Sequence, residues 1–269
     1  MSRGPFSERA MRKTQTSNEK PETNEAVAQE NQERKQSILT HLLALRKTLV
    51  ISFGAIAAAF LLVFYLACGY LMNFITTPIV ERGVEIIYTA VSEALVTQLK
   101  VSLIAAVVVA SPVVFWQIWA FIKPALYPNE KRIFKRLLFL ALLLFLMGVV
   151  FCYRAVYMLA LDFFLVSGEN LATPMLSIDK YVGFLFSFVL PFGLVFELPV
   201  AIYMLTRVGL VNYEMLSKTR KFVILAIFVI AAILTPPDVV SQVMLGVPML
   251  LLFEVGVQVS RFVKPRERS

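Results

Sequence analysis

The run LLFLALLLFLMGVVF, residues 137–151, carries no charge, no proline and no alternation of polar with apolar positions. A strand of a membrane β-barrel would alternate over about ten residues. A run that is apolar on every side is a helix that lipid or protein surrounds completely. Its fifteen positions cover roughly 22 Å at about 1.5 Å per residue, and a few flanking residues complete the roughly 30 Å of a hydrocarbon core. Lys131, Arg132, Lys135 and Arg136 stand just before it, so charge is confined to one edge of the run.

The pattern repeats outward from there. Of the 269 residues, 58% are hydrophobic and 16% charged, and mean hydropathy is +0.74. Soluble domains carry about a quarter charged residues. Six apolar stretches are read as spans: 46–71, 96–121, 137–158, 181–206, 222–235 and 239–260. The expected fold is all-α, a polytopic membrane protein with six transmembrane helices. A net charge of +8 is read here as topology, with no nucleic-acid partner.

The position of the basic residues orients the chain. They gather before the first span (Arg46, Lys47), after the second (Lys123, Lys131, Arg132, Lys135, Arg136), after the fourth (Arg207, Lys218, Arg220, Lys221) and in the C-terminal tail (Arg261, Lys264, Arg266, Arg268). The other side holds Arg82 and Lys180, with Lys100 and Arg154 near span ends. Lys and Arg are retained on the cytoplasmic side, so both termini are expected there. Residues 1–37 are polar, show no cleavable leader, and read as a disordered cytoplasmic tail; 264–269 read as a second tail. The intervening loops, 72–95 and 159–180, are semi-apolar and are expected to lie on the outer surface as a short helix or cap. Cys68 and Cys152 lie near the outer ends of their spans, in no metal-ligand spacing, and read as small buried apolar residues. SILTHLLALRKTL places Ile38, Leu42, Leu45 and Leu49 on one face, an amphipathic lead-in in which His41 is an interface residue.

Prolines interrupt the spans at Pro112, Pro191, Pro199 and Pro248. Each removes a backbone hydrogen bond and bends its helix, which favours a curved wall over a straight bundle. The fifth span is short and stops at Pro236-Pro237; TPPD then reads as a helix start, with Thr235 as cap and Asp238 folding back. Two acids sit inside apolar runs, Glu197 in VFELPVA and Glu254 in LLFEVG. Such acids cost on the order of 3 kcal/mol to insert and are kept where they face a cavity, a partner or a translocated group. Gln242 is read as interhelical glue, and Lys100 as a snorkelling cation. Glu130 is the lone acid among the five basic residues around FIKPALYPNEKR, 121–132. Zinc-protease, nucleophile-elbow and P-loop motifs are absent, which argues against an enzyme, a metal centre or a cofactor.

HLLALR (41–46), SPVVFWQIWAFIKPALYPNEKR (111–132), FELPVA (196–201) and TPPDVVSQVMLGVPMLLLFEVG (235–256) together resemble the TatC family, the core subunit of the twin-arginine, Sec-independent protein translocase. The resemblance covers about 37–263. It implies a concave, glove-like set of six helices that recognises twin-arginine signal peptides of folded precursors. It implies export driven by the proton motive force in the bacterial cytoplasmic membrane, with single-span TatA and TatB partners and self-association. Glu130 matches the signal-recognition acid, and Arg46, Phe121, Pro124, Leu126 and Tyr127 match further positions of that surface. Glu197 matches the polar group of the concave face, and Thr235 and Gln242 match a patch associated with TatA/TatB docking. One position departs: the family reads HLxELR, and here the acid is replaced by Ala44. One carboxylate accepts one bidentate arginine fork, so a second arginine is expected on carbonyls near Pro124 and Pro128 or on Glu30 or Glu33. The competing reading is a small-solute or ion secondary transporter with Glu197 as its coupling site.

Overall fold

The computed structural model describes residues 42–123, 131–168, 175–234 and 238–263. The expectations placed on Glu30, Glu33, His41, Pro124, Leu126, Tyr127, Pro128, Glu130 and Thr235 lie outside the described residues. The chain divides into two units, 1–51 and 52–269. In the first, the described residues 42–51 are helical, and Arg46 is exposed on that helix.

Helix α1 is Leu42–Leu66. After it come α2 (Cys68–Val80), β1 (Glu85–Ile87), α3 (Glu93–Ile122), α4 (Lys131–Phe151), a π-helical segment (Cys152–Tyr157), α5 (Met158–Gly168) and β2 (Met175–Ser177). The chain closes with α6 (Ile178–Val195), α7 (Leu198–Val208), α8 (Tyr213–Leu234) and α9 (Val239–Phe262). Among the described residues five helical stretches are long and apolar enough to cross a membrane: Leu42–Leu66, Glu93–Ile122, Lys131–Gly168, Ile178–Val208 and Val239–Phe262. The sixth expected span corresponds to α8, which opens with Glu214, Lys218, Arg220 and Lys221 and leaves a short apolar stretch, 222–234.

Several boundaries differ from the sequence reading. The first span was expected to run through residue 71, but the helix breaks in a turn at Ala67 and α2 continues through Pro78. The 72–95 loop, expected as a short helix or cap, is helical through Val80 and then gives β1, which pairs in parallel with β2 in the register Glu85↔Met175, Ile86↔Leu176, Ile87↔Ser177. The third span is much longer than 137–158 and is continuous from Lys131 to Gly168 through the π segment. In the fourth span, Pro199 falls in the first turn of α7, not in a helix interior. That turn is where a missing N–H costs least. The chain makes the break at Phe196-Glu197, where the Glu197 amide donates to the Leu194 carbonyl at 3.1 Å and tightens the turn. Asp238, expected to fold back at this start, caps α9: its Oδ1 accepts from the Ser241 amide at 2.7 Å.

Helix α6 is the hub. Tyr181, Val182, Leu185, Phe188, Val189, Phe192 and Val195 are all buried along it. Helix α6 buries more of its surface than α4, which keeps an open flank. Two glycines set its distance from α4. A Cβ on Gly193 would lie 2.7 Å from Phe145, and a Cβ on Gly148 would lie 2.8 Å from Phe196. Each helix thus seats the other's phenyl ring on bare backbone. Gly256 does the same for α9 against Ile202 of α7, where a Cβ would come within 2.5 Å.

The end of the molecule that carries β1 and β2 is tied by polar contacts. The Glu93 carboxylate, buried in the first turn of α3, accepts from the Thr89 amide and hydroxyl, the Ala90 amide, the Ser177 hydroxyl and the Asp179 amide. An acid here also suits the positive end of the helix dipole. Arg82 pairs with Asp162 at 2.6 Å and donates to the Pro78 carbonyl; the carboxylate raises the guanidinium pKa above its ordinary value. Lys100, near the outer end of its helix, pairs with Asp179. Tyr181 donates to the Ile75 carbonyl at 2.6 Å and Tyr153 to that of Phe74 at 3.1 Å. Both cysteines are buried and free.

Candidate functional site

Helices α3, α4, α6 and α7 enclose an apolar cavity of about 410 Å³. Ser111, Phe115 and Trp119 line it from α3, Phe134, Ala141 and Phe145 from α4, and Leu194 and Ala201 from either side of the α6–α7 break. Glu197 is the one ionisable residue in the lining. The local sequence explains its placement. The chain breaks at Phe196-Glu197 before Pro199 opens α7, and residue 197 stands at that break as the N-cap of α7. Its Oε1 is buried with no hydrogen-bond partner among the described residues. The Ser111 hydroxyl, the nearest candidate by composition, is committed to the Val108 carbonyl at 2.7 Å.

Glu254 is placed differently. It faces α8, where Arg220 Nη2 donates to its Oε1 at 2.7 Å, and Gln258 Nε2 donates to the same oxygen at 3.1 Å. It is an interhelical strut, and the pair lies at the edge of a small hollow between α8 and α9. Gln242 Nε2 donates to the Phe228 carbonyl of α8 at 2.9 Å, the interhelical contact expected of it. Phe228 also rests on Gly246, where a Cβ would lie 3.1 Å from the ring. Phe121 sits half-buried near the end of α3, beside but not within the cavity lining. The structure therefore brings Glu197 together with the α3 aromatics, and Glu254 and Gln242 together with α8. Sequence reasoning missed Glu93. Its signal was present in Thr89 through Glu93, an acid that can reach back to amides three and four residues earlier in the manner of a capping box.

An acid facing an apolar hollow among helices long and apolar enough to cross a bilayer marks a polytopic α-helical membrane protein. The family model described as Sec-independent protein translocase protein (TatC) matches residues 40–248. The chain belongs to this family. It is 38% identical over 239 residues to the Sec-independent protein translocase protein TatC of Carboxydothermus hydrogenoformans, covering 88% of this chain and 98% of that protein. It is 36% identical over 237 residues to the Escherichia coli protein of the same description, covering 87% and 92%. A crystal structure of a twin arginine translocase receptor, TatC, superposes with a TM-score of 0.76 at 40% identity, covering 82% of this chain and 97% of that one.

Proposed function

We propose that this chain is the signal-peptide receptor and core subunit of a twin-arginine translocase. It binds the twin-arginine signal peptides of folded precursors and exports them across the bacterial cytoplasmic membrane with TatA- and TatB-like single-span partners, driven by the proton motive force. The observation that carries the reading is the 40% identity to a twin arginine translocase receptor over 97% of that chain.

In this reading Glu130 accepts a guanidinium of the signal peptide at the membrane edge, where a charge-assisted bidentate pair is strongest and most selective for arginine. Arg46, Phe121, Pro124, Leu126 and Tyr127 complete that surface. Both termini are cytoplasmic, the strand-bearing end faces outward, and α8 crosses as a sixth, short span that thins the bilayer locally. Thr235 and Gln242 form the docking patch for TatA and TatB; Gln242 spends one amide hydrogen on Phe228 and keeps a second donor and an acceptor. Glu197 offers the acid of the recessed face to a polar group on an entering segment. The transporter alternative is less well supported. A coupling-cation site gathers several oxygens, and the cavity lining supplies the Glu197 carboxylate and the already committed Ser111 hydroxyl.

Glu130→Ala should abolish export of twin-arginine substrates while membrane abundance of the protein stays normal, read by fractionating a reporter precursor. Export at the wild-type level would overturn the assignment. Photocrosslinking from position 130 should capture a signal peptide bearing two arginines in preference to one bearing two lysines.

A further inference from the structure

A second apolar hollow, of about 450 Å³, lies toward the strand-bearing end. It is walled by Phe74 of α2, Ala105 and Val109 of α3, Val150 of α4 and Phe186 of α6, and its one charged residue is Arg154 of the π segment. Arg154 is exposed and has no hydrogen-bond or ion-pair partner among the described residues. Its neighbours at this end differ, since Arg82 and Lys100 each hold a carboxylate.

Depth identifies what the cation faces. Residues 137–153 carry no charge, so Arg136 and Arg154 bracket an uncharged helix. At about 1.5 Å per residue they stand roughly 27 Å apart, close to the thickness of a hydrocarbon core. With Arg136 at one headgroup layer, Arg154 lies at the other. The rim below it is apolar and open: Phe74, Val109 and Val150 are 57%, 57% and 60% exposed.

We propose that this groove holds one phospholipid of the leaflet at the strand-bearing end. Its phosphate diester accepts the Arg154 guanidinium, and an acyl chain lies along Ala105, Val109 and Val150. The fork of the guanidinium matches a phosphate. Inorganic phosphate would satisfy the cation but leave the apolar wall bare, so the occupant must carry both chemistries. The site is separate from the Glu197 cavity and does not depend on the export reading.

Two measurements on the full-length protein test it. With p-benzoylphenylalanine in place of Ala105, irradiation in native membranes should add a mass in the phospholipid range, read by intact mass spectrometry. An adduct of polypeptide size would overturn the proposal in favour of a partner helix. Purified protein exchanged into micelles containing dioleoylphosphatidylglycerol should retain one such lipid in native mass spectrometry, and should not retain dioleoylglycerol, which has the chains without the phosphate. Arg154→Gln should lower retention about tenfold, the worth of one charge-assisted contact, and Arg154→Lys by less. Equal retention by wild type and Arg154→Gln, or of the two lipids, would overturn it.

Discussion

Glu254 and Glu197 are the same residue type in two equally apolar settings, and the regions around them treat the charge in opposite ways. At the α8–α9 seam Glu254 meets Arg220 and Gln258, and the acid is spent on joining two helices. At the α6–α7 break Glu197 turns into a cavity whose other lining residues are not ionisable, and its Oε1 has no partner among the described residues. An acid whose Oε1 is left without a hydrogen bond among the described residues, and which costs free energy to insert, is placed to meet something that arrives from outside. The difference separates a structural acid from one available to a ligand.

The comparison can be broken at the cavity wall first. Gly193→Leu would drive a side chain into Phe145, which a bare Cβ already approaches to 2.7 Å. Over-packing of this kind costs about 1–3 kcal/mol, so a large drop in melting temperature and in monodisperse yield from detergent is expected, with the Arg220–Glu254 seam untouched. Wild-type stability would mean that the glycine approach does not hold the wall.

A smaller effect should come from the seam itself. Arg220→Gln and Glu254→Gln are each expected to lose about 1 kcal/mol, with a coupling of similar size in a double-mutant cycle, typical of polar pairs between membrane helices. The side chains are 36% and 45% exposed, which keeps the figure modest. Strictly additive single effects would show the pair to be idle. The smallest stability change belongs to Glu197→Gln, expected within about 0.5 kcal/mol of wild type because its buried Oε1 holds no hydrogen bond among the described residues that the amide would lose. Export of a twin-arginine reporter should fall all the same. A destabilisation matching that of Glu254→Gln would erase the distinction between the two regions.

Much of the architecture was readable from the sequence. Helices at 137–151 and its counterparts follow from uncharged length. The seam role of Gln242 follows from a polar amide on an apolar helix. The recognition motif pointed to the family before any contact was known. What was misread has a common cause. The pairing of Lys100 with Asp179 was not legible because the two lie 79 residues apart in the chain. The strands were missed because three residues are too few for a period. Glu254 and Glu197 looked alike because periodicity does not say what a neighbouring helix presents.

Hydropathy and charge along the chain determined that it crosses a membrane as helices and where its basic segments gather, because partitioning between lipid and water is settled residue by residue over stretches of about twenty. Tertiary structure alone decided which acids and cations pair and which loops are sewn together through Glu93. Those outcomes depend on groups some 80 residues apart, such as Arg82 with Asp162 and Glu93 with Ser177. They meet only once the helices have packed, because no local pattern in the chain brings them together.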